Sequence, residues 1–199
     1  LKARSDNNDL IRVGIIGVGK FGTMFASQVV RLPGIHVVGV ADLNIQSCKS
    51  NLKLAGWKPE MYDAKTLDNA LESGATCVLE NFVSLVNEPR IDIIIECTGN
   101  PVKAVDHILA AFESGKHVIS ATVEADALCG PALARKAIEF GVIYSMAYGD
   151  QPAMVCELVD WARVCGFDVI AAGRGHKWRS EYRSSTPDTI WDYWGLTEE

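Results

Sequence analysis

Short apolar runs alternate with segments of helical spacing along most of this chain. The first run, Ile11–Ile16, is β-branched and almost wholly apolar, as a strand buried on both faces should be. Further runs ending at Asp42 and at 76–80, 91–97, 116–120 and 142–146 predict five more strands. Residues 43–56, 66–73, 82–86, the stretch from Pro101 to about Gly115, and 130–140 predict helices, with Gly74, Gly115 and Gly141 as stops. Val102, Val105, Ile108, Leu109 and Phe112 recur at helical spacing and mark the apolar face of the helix that Pro101 opens. Residues 1–9 are polar and read as loose, or as the last turn of a helix. Six strands alternating with helices imply a parallel sheet with right-handed crossovers, ordered 3-2-1-4-5-6. Beyond it, 153–165 predicts a helix stopped by Gly166, and 167–172 predicts a strand that would begin a second, α+β unit. The expected division is 10–150 and 151–199.

The first strand runs into Gly17-Val18-Gly19-Lys20-Phe21-Gly22, a G-x-G-x-x-G turn that opens a helix. Gly17 permits a sharp turn, Gly19 lets a pyrophosphate approach the backbone, and Gly22 lets the helix lie close to the strands. The helix N-terminus directs unpaired N–H groups and a partial positive charge at the phosphates. Asp42 closes the next strand twenty residues after Gly22. Strand, turn, helix and acid together are the context that makes this motif a dinucleotide fingerprint of the doubly wound Rossmann α/β fold.

In such a sheet ligands bind beyond the carboxyl ends of the strands, so the residues just after each strand carry the chemistry. Asp42 can accept both ribose hydroxyls of NAD and would repel a 2′-phosphate; a turn aspartate capping the next helix would look the same. No arginine lies in residues 42–46 to receive a 2′-phosphate, so NAD is expected, with NADP as the alternative. After the fourth strand, Cys97, Thr98 and Gly99 would face the nicotinamide side of the cofactor, although a plain strand-to-helix cap by Asn100 explains the same letters. Cys97 reads as a packed thiol, since no histidine is near in sequence to activate it. After the fifth strand come Thr122, Glu124 and Asp126; the two acids could face substrate or sit near a helix start. After the sixth, Asp150 would meet the cofactor cleft or serve as an N-cap. Residues 173–178, with Arg174 between Gly173 and Gly175 and then His176 and Lys177, form a turn suited to an anionic substrate group or a solvated loop. The expected cofactor residues are thus Gly17, Gly19, Lys20, Phe21, Gly22, Asp42, Cys97, Thr98, Gly99 and Thr122. Lys177, Asp150 and Glu124 are the candidates for catalysis.

Composition narrows the partners. Of the 199 residues 48% are hydrophobic and 22% charged, and the net charge of −6 without a basic block points away from nucleic acid. No apolar run approaches the roughly 20 residues of a membrane span, and residues 1–9 lack the apolar core of a signal peptide. The six cysteines show no C-x-x-C pair and no metal-ligand rhythm with the four histidines, so no metal site is expected and a reducing cytoplasm is the simplest setting.

With GVGKFG, ECTGNP, ISATVEAD, YGDQP and AAGRGHKW in place, the chain resembles the homoserine dehydrogenase-like oxidoreductases from Ile11 onward. It is most similar to the branch that carries a C-terminal SAF domain, a branch that includes the 1-deoxy-D-xylulose-5-phosphate reductoisomerase-like enzymes. The resemblance implies NAD(P)-dependent hydride transfer on a small hydroxylated or phosphorylated substrate, and cytoplasmic enzymes that can be homo-oligomers. It departs at Val123-Glu124, where homoserine dehydrogenases proper carry an asparagine–lysine pair, and at Asp42, which favours NAD where the reductoisomerase-like enzymes use NADPH. Family members continue into a substrate domain that supplies a catalytic lysine, so residues 151–199 are expected to be the start of a substrate domain cut short. The competing expectation is a non-catalytic NAD-binding module that senses redox state or serves a partner.

Overall fold

The computed structural model describes residues 1–148, 151–173, 180–189 and 191. The chain forms two compact units, Leu1–Asp150 and Gln151–Glu199. In the first, helix α1 (Lys2–Asp6) precedes strand β1 (Ile11–Ile16), helix α2 (Lys20–Val29), strand β2 (Ile35–Ala41), helix α3 (Ile45–Leu54) and helix α4 (Leu67–Ser73). Strand β3 (Cys77–Leu79), helix α5 (Val83–Asn87), strand β4 (Ile93–Glu96), helix α6 (Pro101–Glu113), strand β5 (His117–Ser120), helix α7 (Val123–Phe140) and strand β6 (Tyr144–Met146) complete it. All strand pairs are parallel, in the order β3-β2-β1-β4-β5-β6. This is the doubly wound order expected from the alternation, with its reversal point between β1 and β4.

Apolar strands bury both faces of the sheet. On one, Val13, Ile15, Val37 and Ile95 meet Ala26, Val29, Leu52 and Trp57, and the Trp57 indole N–H donates to the Ala26 carbonyl at 2.8 Å. On the other, Val38, Ile94 and Val118 meet Ala70, Leu85, Ala104, Ile108 and Phe112. Two glycines of the sheet make room on this second face, Gly39 for α5 and Gly14 for Ile94 of the neighbouring strand. A Cβ on Gly39 would lie 2.5 Å from Leu85 Cδ2, and one on Gly14 would lie 2.9 Å from Ile94 Cδ1. The same close packing carries Phe82, at the head of α5, to the carboxyl edge of the sheet.

Local signals set the helix ends. The Thr66 hydroxyl accepts the Asn69 N–H and the Asn100 side chain accepts the Lys103 N–H, each an N-cap, with Pro101 in the first turn. Lys116, almost wholly buried, donates to the carbonyls of Glu88 at 2.7 Å and Ile91 at 2.8 Å, pinning the loop that feeds β4.

Three expectations are corrected. The helix expected at 130–140 begins at Val123; Gly130-Pro131, which look like a helix start, instead mark a kink at Cys129 (φ −149°) inside α7. Val102 is exposed, and the inner face of α6 is completed by Ala104, His107 and Ala111. In the second unit, helix α8 (Gln151–Val164) forms, but 167–172 is irregular rather than a strand. The alternation of Phe167, Val169 and Ala171 has no ladder partner among the described residues, and without one an isolated extended segment gains no hydrogen bonds. A short 3-10 turn, Ser180–Ser184, follows.

Phe112 is fully buried and meets Tyr144 edge-on, ring centres 5.8 Å apart. Phe112→Ala is expected to cost about 3–5 kcal/mol of unfolding free energy, the usual range for emptying an aromatic core site. Denaturant titration followed by tryptophan fluorescence measures it, and a loss under about 1 kcal/mol would place Phe112 outside the core.

Candidate functional site

The turn after β1 is shaped by close backbone approach. Gly17 has φ +89°, and a Cβ there would lie 2.9 Å from the Thr98 backbone; a Cβ on Gly22 would lie 2.3 Å from the Gly17 carbonyl oxygen. These two glycines are needed for the turn to exist. Gly19 differs, because a Cβ there would meet nothing within 4 Å. It is the N-cap of α2, no side chain caps this helix, and its first turn holds no acid, so no side chain takes up its first N–H groups.

Asp42, directly after β2, is held from two sides. One carboxylate oxygen accepts the Val18 N–H at 2.9 Å and the other accepts the Asn44 N–H at 3.0 Å. The cap of α3 is Asn44, which accepts from Ser47 N–H at 2.9 Å, so Asp42 is not the helix cap. An ionised carboxylate offers about four acceptor positions, and two of Asp42's remain for hydroxyl donors. Asn51 donates to the Val18 carbonyl at 2.6 Å, so both polar groups of Val18 are tied to the β2 side of the turn.

Glu96, the last residue of β4, has no exposed surface. Its carboxylate accepts from the Thr98 N–H at 3.2 Å, from the hydroxyls of Thr98 and Thr122, and from His107 Nδ1 at 3.3 Å. The Thr122 hydroxyl in turn accepts the Gly99 N–H at 3.0 Å, holding the β4–α6 loop where Gly99 has φ +71°. Burial pushes the Glu96 carboxyl up, but the bonds from His107, Thr122 and Thr98 outweigh it and leave its pKa below the ordinary value. The neighbouring Cys97 thiol goes the other way. Burial, helped by the Glu96 charge, raises it to about 12, so it stays protonated and unreactive at neutral pH.

These elements enclose a cavity of about 740 Å³ at the carboxyl edge of the sheet. Gly17, Gly19 and Asp42 form one end, Cys97 and Thr98 a side, and Phe82, Asn100, Lys103 and His107 the wall between α5 and α6.

A family model described as an oxidoreductase family with an NAD-binding Rossmann fold, the Gfo/Idh/MocA group, matches residues 11–121, more than half of the chain. The chain belongs to this family. A second model, the catalytic domain of the oxidoreductase DRL, matches 149–198. Among curated proteins, homoserine dehydrogenase of Pseudomonas aeruginosa is 35% identical over 36% of this chain and 17% of its own length. Homoserine dehydrogenase of Methylobacillus glycogenes is 28% identical over 56% of this chain and 24% of its own length. The chain thus spans a quarter or less of these relatives. Myo-inositol dehydrogenase from Lactobacillus casei, solved with NAD(H) and myo-inositol, has a TM-score of 0.51 at 17% identity, covering 77% of this chain and 42% of that one. A homoserine dehydrogenase from Thiobacillus denitrificans has a TM-score of 0.52 at 23% identity, covering 68% and 29%. At these identities the two structures show a shared fold.

In this member of the family, Gly17, Gly19, Asp42, Cys97 and Thr98 line the cavity. Gly22, Gly99 and Thr122 stand behind the lining and hold it in shape, while Lys20 and Phe21 are exposed at the start of α2 and outside it. Glu124 is exposed in the first turn of α7. Asp126 accepts from the Tyr144 hydroxyl at 3.2 Å and braces α7 against β6. Asp150 and Lys177, with most of the 173–178 turn, lie outside the described residues. Glu96 and His107 were missed from the sequence. An acid ending the run Ile91–Ile95 was the available signal, because a charge in a doubly buried strand needs partners. Among the described residues no group of His, Cys, Asp and Glu is placed to hold a metal ion, and no helix is long and apolar enough to cross a membrane.

Because its folded pKa is depressed, Glu96 stabilises the fold fully above its unfolded value, about 4.3, and this contribution is lost as pH falls through the lower folded value. Thermal unfolding from pH 6 down to pH 3 should therefore show a steeper fall in Tm for the native chain than for Glu96→Gln. Equal slopes would mean that the carboxylate is not held in its charged form.

Proposed function

We propose that this chain binds NAD(H) in the cavity at the carboxyl edge of the sheet and is the cofactor-binding part of an NAD-dependent dehydrogenase or reductase. The observation that carries this reading is the pairing of Asp42 with Gly19 across the turn. An acid clamped by Val18 and Asn44 with two acceptor positions to spare stands beside an uncapped helix start that no side chain obstructs. The cavity fits the dinucleotide: N–H donors for the pyrophosphate at one edge, acceptors for ribose hydroxyls at the next, and a compartment beyond for a base. The bound nicotinamide supplies the hydride chemistry. The chain's own part is to fix that group, exclude water and move a proton.

The substrate in this reading is a small hydroxylated molecule, free or phosphorylated. Similarity to homoserine dehydrogenases and the match of 149–198 to the DRL catalytic domain support it. The VEAD and GDQP blocks support placement in the SAF-domain branch. Residues 151–199 then begin the substrate domain, and Glu124, Asp150 and Lys177 are the candidates for proton transfer. Thr98 would face the cofactor as it binds, with Lys20 and Phe21 bordering it at the start of α2 and Gly99 shaping the loop behind.

NADH fluorescence titration tests the cofactor reading. Gly19→Val should leave unfolding nearly unchanged, since a Cβ there meets no protein atom within 4 Å, and should weaken NADH by roughly a hundredfold or more. That is the loss of one or two charge-assisted hydrogen bonds at about 1.5–3 kcal/mol each. A folded Gly19→Val chain with native NADH affinity would remove the phosphate turn from the site.

Cofactor choice gives an independent measurement. The native chain should bind NADH in preference to NADPH, and Asp42→Asn, which keeps the shape but not the charge, should lower that ratio about tenfold or more. Native NADPH affinity equal to that for NADH would show that Asp42 does not meet the ribose. Turnover of a panel of hydroxy acids and sugar phosphates by the full-length protein tests the substrate class.

A further inference from the structure

We propose that His107, oriented by Glu96, selects the purine of the bound dinucleotide by accepting a hydrogen bond from an exocyclic 6-amino group. This rests on the cofactor reading above and adds a specificity-determining residue to the same cavity.

Three of the bonds to the Glu96 carboxylate come from obligate donors or hydroxyls, the Thr98 N–H and the hydroxyls of Thr98 and Thr122. Held ionised among them, Glu96 can only accept, so the hydrogen between it and His107 sits on Nδ1. In its neutral form the imidazole then carries a bare lone pair on Nε2. That nitrogen has no hydrogen-bond partner among the described residues, although His107 is more than nine-tenths buried and its ring lines the cavity. An acceptor of this kind, open to the cavity but without a protein partner, suits a ligand that brings a donor.

Position limits which part of the ligand that is. With the pyrophosphate at the Gly19 edge and the ribose at Asp42, the base occupies the remaining compartment, between the head of α5 and the first two turns of α6. Phe82 offers that compartment an aromatic surface, its ring centre 4.4 Å from that of His107 at an interplanar angle of 56°. An aromatic face beside a fixed acceptor suits a flat heterocycle that donates from one edge. Adenine does so through its 6-amino group, whereas hypoxanthine presents a 6-oxo acceptor that would oppose Nε2.

Titration with NADH and with reduced nicotinamide hypoxanthine dinucleotide, which differ at that one group, is the test. The native chain should bind NADH at least about tenfold more tightly, the scale of one buried acceptor left unpaired. In His107→Gln, whose amide can donate or accept, the ratio should fall towards one while NADH still binds. A purely structural role would weaken both dinucleotides alike and leave the ratio unchanged in His107→Gln, and that result overturns the proposal. A native ratio near one also overturns it while leaving the cofactor reading intact, whereas a native chain that binds neither dinucleotide defeats both.

Discussion

A single carboxylate with no exposed surface, that of Glu96, joins four parts of the cofactor edge. It ends β4, receives the backbone and hydroxyl of Thr98 in the following loop, the hydroxyl of Thr122 ahead of α7, and the imidazole of His107 on α6. A buried charge is costly unless every acceptor position is used, and here the required donors are the very groups that line or support the cavity. The β4–α6 loop is consequently held by its own polar chemistry. Loss of one donor would be felt by the others, because they share two oxygens.

The phosphate turn depends on this arrangement through sterics. Gly17 lies against the backbone of Thr98 with no room for a side chain, so the turn after β1 and the loop after β4 fix one another. Asp42 adds a third restraint by taking the Val18 N–H, which links the end of β2 to the middle of the glycine motif. Three neighbouring strands thereby converge on one rigid edge. A preformed edge lowers the ordering cost of binding a long, flexible dinucleotide.

The two compact units divide the family relationships between them. Residues 11–121, inside the first, carry the match to the NAD-binding family, and 149–198 carry the match to the DRL catalytic domain. The strand ends of the first unit supply what a dinucleotide requires. The residues proposed for proton transfer fall in α7 and in the second match.

The order of the six strands, the glycine turn and Asp42 were legible in the sequence, because each rests on local chemistry: periodicity, a backbone that only glycine permits, and an acid at a fixed offset from the turn. The caps Thr66 and Asn100 belong to the same class. What only the tertiary structure decided were pairings between residues far apart in the chain. Glu96 and His107 are eleven residues apart, and Thr122 meets Glu96 across twenty-six. Nothing in the local spacing of VEAD marks Thr122 as a link between two loops. The start of α7 at Val123 was hidden by Gly130-Pro131, whose breaking tendency the packed helix absorbs as a kink. The strand expected at 167–172 failed for the complementary reason, since alternation predicts a face but a strand needs a neighbour. Sequence therefore determined the fold and the glycine-turn and Asp42 ends of the cavity, while its far compartment came from contacts that exist only once α5, α6 and β4 are packed together.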